Sequence, residues 1–128
     1  MEFSGLSIEQ APPIGAPARF FLTAPLFAIL AGFLILFSDP SVLMTRYSID
    51  AVIITHALTI GFLGFVMLGA LTQMLPVLAG VQIPKVNAVS ISSHILLVFG
   101  TVAMLLGLMY DNPTINTVAL VYIGLGFT

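Results

Sequence analysis

The chain has 128 residues, 59% of them hydrophobic, with three Lys and Arg against five Asp and Glu and a net charge of −2. A soluble domain carries roughly a quarter of its residues as charges, so 6% cannot cover a water-facing surface, and the chain reads as an integral membrane protein. The scarcity of cations excludes a nucleic-acid backbone as partner, and the absence of cysteine excludes disulfides, thiolate zinc, iron–sulfur ligation and covalent haem attachment through CxxCH.

Residues 1–18 (MEFSGLSIEQAPPIGAPA) contain Pro12, Pro13 and Pro17 and show no helical periodicity. They are expected to form an extended Pro-rich arm on the membrane surface or on a neighbouring subunit. The first Lys or Arg is Arg19 and the residues before it are polar and Pro-rich rather than an apolar run, so a cleavable signal is not expected here. Residues 20–38 give the first span, about 28 Å at 1.5 Å per residue, close to the roughly 30 Å of hydrocarbon. Pro25 falls early enough in it to be tolerated, and Asp39-Pro40 stops it.

A polar connection, 41–50, carries Arg46 and the interfacial Tyr47. The second span, about 51–78, is free of charge through Gly80, and Pro76 favours an end before that glycine. Val81 to Lys85 (VQIPK) is the turn. The third span covers about 87–110 and closes at Asp111-Asn112-Pro113. A fourth apolar run, about 115–128, reaches only some 20 Å and is too short to cross. It is expected to be incomplete in this chain and to continue in a longer polypeptide, with a re-entrant helix as the alternative. The fold class is therefore an all-α transmembrane bundle of three full spans plus an incomplete fourth. Arg19 and Lys85 fall on one side and Arg46 on the other, which places the N-terminus in the cytoplasm by the positive-inside rule.

Two histidines lie within the spans, where polar side chains face a bundle interior and mark sites. At 100° per residue the face of His56 carries Ile60, Leu63, Met67, Ala70, Leu71 and Met74. Gly61, Phe65, Gly69 and Pro76 lie opposite, with Gly64 on the flank. An imidazole above Leu63, Gly64 and Met67 suits a haem, which needs an axial ligand and an apolar slot. The plainer reading makes His56 an interior residue bonded to a carbonyl or a threonine. His94 shares a polar stripe with Asn87, Ser90 and Thr101. It is read as a structural residue hydrogen-bonded to Ser90 or Thr101, with iron ligation or proton relay as the alternative. The two histidines differ in depth by roughly 25 Å on antiparallel helices, so they cannot share one iron.

The residues His56–Gly69–Gln73–Pro76–Gly80–Pro84–Asn87, in the pattern H-x12-G-x3-Q-x2-P-x3-G-x3-P-x2-N, resemble the second helix of haem-copper oxidase catalytic subunits. The opening ARFFLTAPLFAILAG followed by a histidine-bearing helix is similar to the start of the NnrS family of haem membrane proteins. The likeness covers about residues 19–87. The oxidase spacing is a few residues longer, its proline within that helix is absent here, and His94 has no counterpart. The resemblance implies that His56 is an axial iron ligand of haem b, in a protein for electron transfer or diatomic-gas binding. It does not imply oxygen reduction, because the helices that bear copper and high-spin haem ligands lie outside this chain. A second axial ligand is expected either from His56 of a second copy, with Gly64 and Met67 allowing close approach, or from a further helix. The competing function is an accessory transmembrane subunit with no cofactor, packed against larger partners. A proton or ion path is a weaker third, since the spans hold no carboxylate.

Overall fold

The computed structural model describes residues 5 and 8–128, side chains at 42 and 43 excepted. The arm assigned to residues 1–18 lies partly outside these. Of its described portion, Ile8–Gln10 form a short 3-10 turn, and helix is already established at Gly15. The early start follows from Pro17, whose fixed φ and missing donor suit a first helical turn.

Four helices follow one another up and down: α1 (Gly15–Phe37), α2 (Ile49–Ala79), α3 (Val86–Met109) and α4 (Pro113–Phe127). No strand occurs among the described residues. The first three are long and apolar enough to cross a membrane, and α4 is a shorter apolar helix of 15 residues. The outer surface of the bundle is lined with Leu, Ile, Phe and Met, as contact with a lipid bilayer requires.

Each boundary has a local cause. Asp39 caps the 3-10 turn Pro40–Met44 by accepting from the Ser41 amide at 2.8 Å. Ser48 caps α2, accepting from the Ala51 amide at 3.2 Å. Helix α2 runs through Pro76 to Ala79 and stops where Gly80 turns left-handed at φ 65°. Pro76 has no amide to donate and is buried, and the helix continues past it for three residues instead of ending early.

The α3–α4 corner is the tightest. The Asn112 amide donates to the Gly107 carbonyl at 2.8 Å and the Asp111 amide to Leu108 at 3.3 Å, with Asp111 at φ 48°. This is a Schellman ending with aspartate in the left-handed position. Asn112 then caps α4, accepting from the amides of Thr114 and Ile115, and Pro113 opens the helix. Below the corner the hairpin closes on glycines. A Cβ at Gly100 would lie 2.8 Å from Ile123 and one at Gly126 2.6 Å from Leu97, while Gly107 abuts Asn116. Each step back along α3 is matched by an equal step forward along α4.

The core forms where α1, α2 and α3 meet. Phe20 and Phe65 are fully buried, and Phe65 packs on Phe27 at 5.4 Å between ring centres. Gly61 receives the ring of Phe27, with a Cβ there only 2.5 Å from its Cγ, and Gly69 receives Phe20 and Phe21. Small residues set this close helix approach. The face opposite His56 in the sequence reading (Gly61, Phe65, Gly69 and Pro76) is buried as a whole.

Candidate functional site

Helix α2 is not α-helical throughout: Ala57–Gly64, immediately after His56, is a π-helix. This changes which residues share a face. In an α-helix a four-residue spacing creeps about 40° around the axis per step, whereas wider π turns creep the other way. Across the two segments a four-residue period therefore stays in line. The buried residues recur at Ile53, Ala57, Gly61, Phe65 and Gly69.

The neighbouring line is His56, Ile60, Gly64, Leu68 and Thr72, and every member is half-buried. The next line outward, Thr55, Thr59, Leu63, Met67 and Leu71, is exposed throughout, Leu63 at 50% and Met67 at 62%. Of the residues grouped with His56 from a uniform 100° projection, Ile60 shares its line, and Gly64, assigned to the flank, joins it. Leu63 and Met67 stand one line further out, because the π segment carries them past it. A Cβ on Gly64 would meet Phe127 Cζ at 3.4 Å, so the end of α4 bounds the His56 line two turns below the imidazole.

At His56 itself, Nδ1 lies 2.7 Å from the Val52 carbonyl oxygen. A carbonyl can only accept, so Nδ1 carries the proton, and in the neutral ring Nε2 keeps its lone pair. A carbonyl partner is what the plainer reading of His56 expects, and the sequence does not say which carbonyl: it is that of Val52. Its contribution is backbone, one turn earlier, and no side chain signals it.

His94 is arranged in the opposite sense. Its Nε2 is 2.7 Å from Thr23 Oγ1 on α1, and the Thr23 hydroxyl donates its one proton to the Arg19 carbonyl at 2.8 Å. His94 must therefore donate through Nε2, which leaves that nitrogen no lone pair for a metal. The rings of Phe20 and Phe65 stand edge-on to the imidazole at 5.5 and 5.8 Å. The hydrogen bond expected for His94 is made to α1, not to Ser90 or Thr101 on its own helix. Ser90 of the same stripe also reaches α1, donating to the Ala16 carbonyl at 2.8 Å, whereas Asn87 is exposed. Thr101 is fully buried, and its hydroxyl has no partner among the described residues. Thr23 could have been found from sequence: it is the only polar side chain between Arg19 and Ser38.

The structure does not bring the two histidines together. His56 sits seven residues into α2 from one side of the bundle, and His94 eight residues into α3 from the other. Among the described residues no group of three His, Cys, Asp or Glu side chains could hold a metal ion. Compared with protein-family models, with curated proteins and with solved structures, the chain finds no match in any of the three.

Proposed function

We propose that the chain is an integral membrane protein that binds haem b through His56, akin to haem-copper oxidase catalytic subunits or NnrS proteins. Its role would be electron transfer or diatomic-gas binding. The observation that carries this reading is the proton placement at His56. Nδ1–H is held by the Val52 carbonyl, which fixes the ring and leaves Nε2 as the ligating nitrogen. Metal-binding histidines are oriented by such a bond from the other nitrogen. A π-helical segment directly following is a second support, because π turns concentrate at functional sites.

The residues of this chain fit the group on one side only. His56 would hold the iron, Ile60 and Leu68 would supply apolar wall, and Gly64 removes a side chain from the same line. Bound haem contributes a one-electron couple or a coordination position for a small gas. Because the line is half-buried, the opposite wall, and for electron transfer the second axial ligand, would come from outside these four helices. Another copy of the chain or another membrane subunit could provide them. A bacterial inner membrane with the N-terminus in the cytoplasm agrees with Arg19 and Lys85 lying on one side against Arg46.

An optical spectrum of the purified protein tests the reading. A Soret band with α-bands on reduction is expected in the wild type and absent from His56→Ala. A wild-type protein without a Soret band overturns it. The second reading, an accessory subunit without cofactor, is favoured by Gly32 and Gly124. Both are exposed with open space where a Cβ would stand, as on helices that receive a neighbour.

A further inference from the structure

Arg19 begins a line on α1 that continues through Thr23, Leu26, Phe27 and Leu30. With Val98 and Val102 of α3, the last four of these form a groove of about 260 Å³ on the side of the bundle. The groove is apolar in effect, because the only hydroxyl on it, that of Thr23, is already engaged by Arg19 and His94.

One turn above Thr23, the Arg19 side chain turns back toward the helix N-terminus, where Nε donates to the Gly15 carbonyl at 2.9 Å. One of its five N–H groups is used in this way. Among the described residues no carboxylate pairs with Arg19, which is half-buried. From Arg19 to Leu30 the helix rises about 16 Å, half of the roughly 30 Å hydrocarbon thickness. The groove itself, Thr23 to Leu30, covers about 10 Å of that rise, with Arg19 about 6 Å above it on the headgroup side and an apolar floor below.

We propose that this groove seats an anionic phospholipid, its phosphate held by the Arg19 guanidinium and one acyl chain lying along α1 and α3. Guanidinium matches a phosphate in both charge and planar hydrogen-bond geometry, which a zwitterionic headgroup offsets with its own cation. The site is separate from the His56 line and does not depend on haem.

The full chain, purified in detergent and given phosphatidylglycerol and phosphatidylcholine in equal amounts, is examined by native mass spectrometry. The wild type is expected to retain phosphatidylglycerol about fivefold over phosphatidylcholine, as one basic residue near an anionic surface provides. Arg19→Gln should bring the two lipids to parity and Arg19→Lys should keep part of the preference. Val102→Phe, at an exposed position on the groove wall, should reduce retention of both, with helix content by circular dichroism unchanged. Equal retention of the two lipids by the wild type, or a preference that survives Arg19→Gln, overturns the headgroup assignment. Undiminished retention in Val102→Phe overturns the groove.

Discussion

His94 and Thr23 join α3 to α1 by a hydrogen bond of 2.7 Å, and the threonine proton is already committed to Arg19, so the imidazole is the donor. With the Ser90–Ala16 bond, this contact, inside an aromatic wall of Phe20 and Phe65, fixes two parallel helices in register. Either single replacement, His94→Leu or Thr23→Val, should destabilise the bundle by about 1–2 kcal/mol. Because both remove the same bond, the double variant should lose less than the sum, with a coupling of about 0.6 to 1.7 kcal/mol. Unfolding in mixed micelles measures all three, and strict additivity would contradict the contact.

Thr101 gives the reverse case. Its hydroxyl is fully buried and unbonded among the described residues, while its shape is that of valine. Thr101→Val removes an unsatisfied polar group without opening a cavity, and should be neutral or stabilising by up to about 1 kcal/mol. A loss of stability in the same micelle assay would mean that the hydroxyl has a partner.

Two glycines on α4, two residues apart, should respond in opposite ways to one methyl group. At Gly126 a Cβ would stand 2.6 Å from Leu97 Cγ, whereas at Gly124 it meets nothing within 4 Å. Gly126→Ala should cost about 1–3 kcal/mol through overpacking of the α3–α4 hairpin. Gly124→Ala should not destabilise the isolated bundle, and a small gain from helix propensity is expected. If Gly124→Ala instead disrupts a complex in native membranes, the outer face of α4 is an interface.

Outside the spans, Asp39 is held below the ordinary aspartate range by the hydroxyl of Ser41 and then by its backbone amide. A depressed carboxyl contributes stability that is present above the unfolded value and is lost as pH falls through the folded one. Fraying of the Pro40–Met44 turn is therefore expected on acidification below the usual aspartate range, and not near neutrality. Ser41→Ala removes the hydroxyl and should move the Asp39 midpoint upward in a carboxyl-carbon NMR titration. An unmoved midpoint would show that the backbone amide alone sets it.

How far this structure could be read in advance differs from element to element. The three spans follow from charge-free runs bounded by Arg19 and Asp39, Asp50 and Lys85, and Lys85 and Asp111, and the packed face Gly61–Phe65–Gly69 follows from its two glycines. The π segment was not legible. ALTIGFLG is almost uniformly apolar, so no alternation of polar and apolar residues exists to expose a change of period. That one hidden feature is why Leu63 and Met67 project away from His56. The partner of His94 was also missed, because a stripe on one helix says which way it faces and not what it meets.

The line of residues on α2 makes a final prediction for the proposed haem site. Gly64 shares the half-buried line of His56, while Met67 stands on the exposed line beside it. If haem lies along the His56 line, Gly64→Leu should block it, since the added side chain enters that line and approaches Phe127. Met67→Ala should leave the spectrum of a single chain's site unchanged. Where two chains share one haem across a two-fold axis, exposed Met67 becomes part of the contact, and its loss should weaken binding severalfold. Haem counted against protein separates the two cases independently, at one per two chains for the shared site and one per chain otherwise. His56→Ala should empty the site in both. Haem retained in His56→Ala, or undisturbed by Gly64→Leu, would place the group elsewhere.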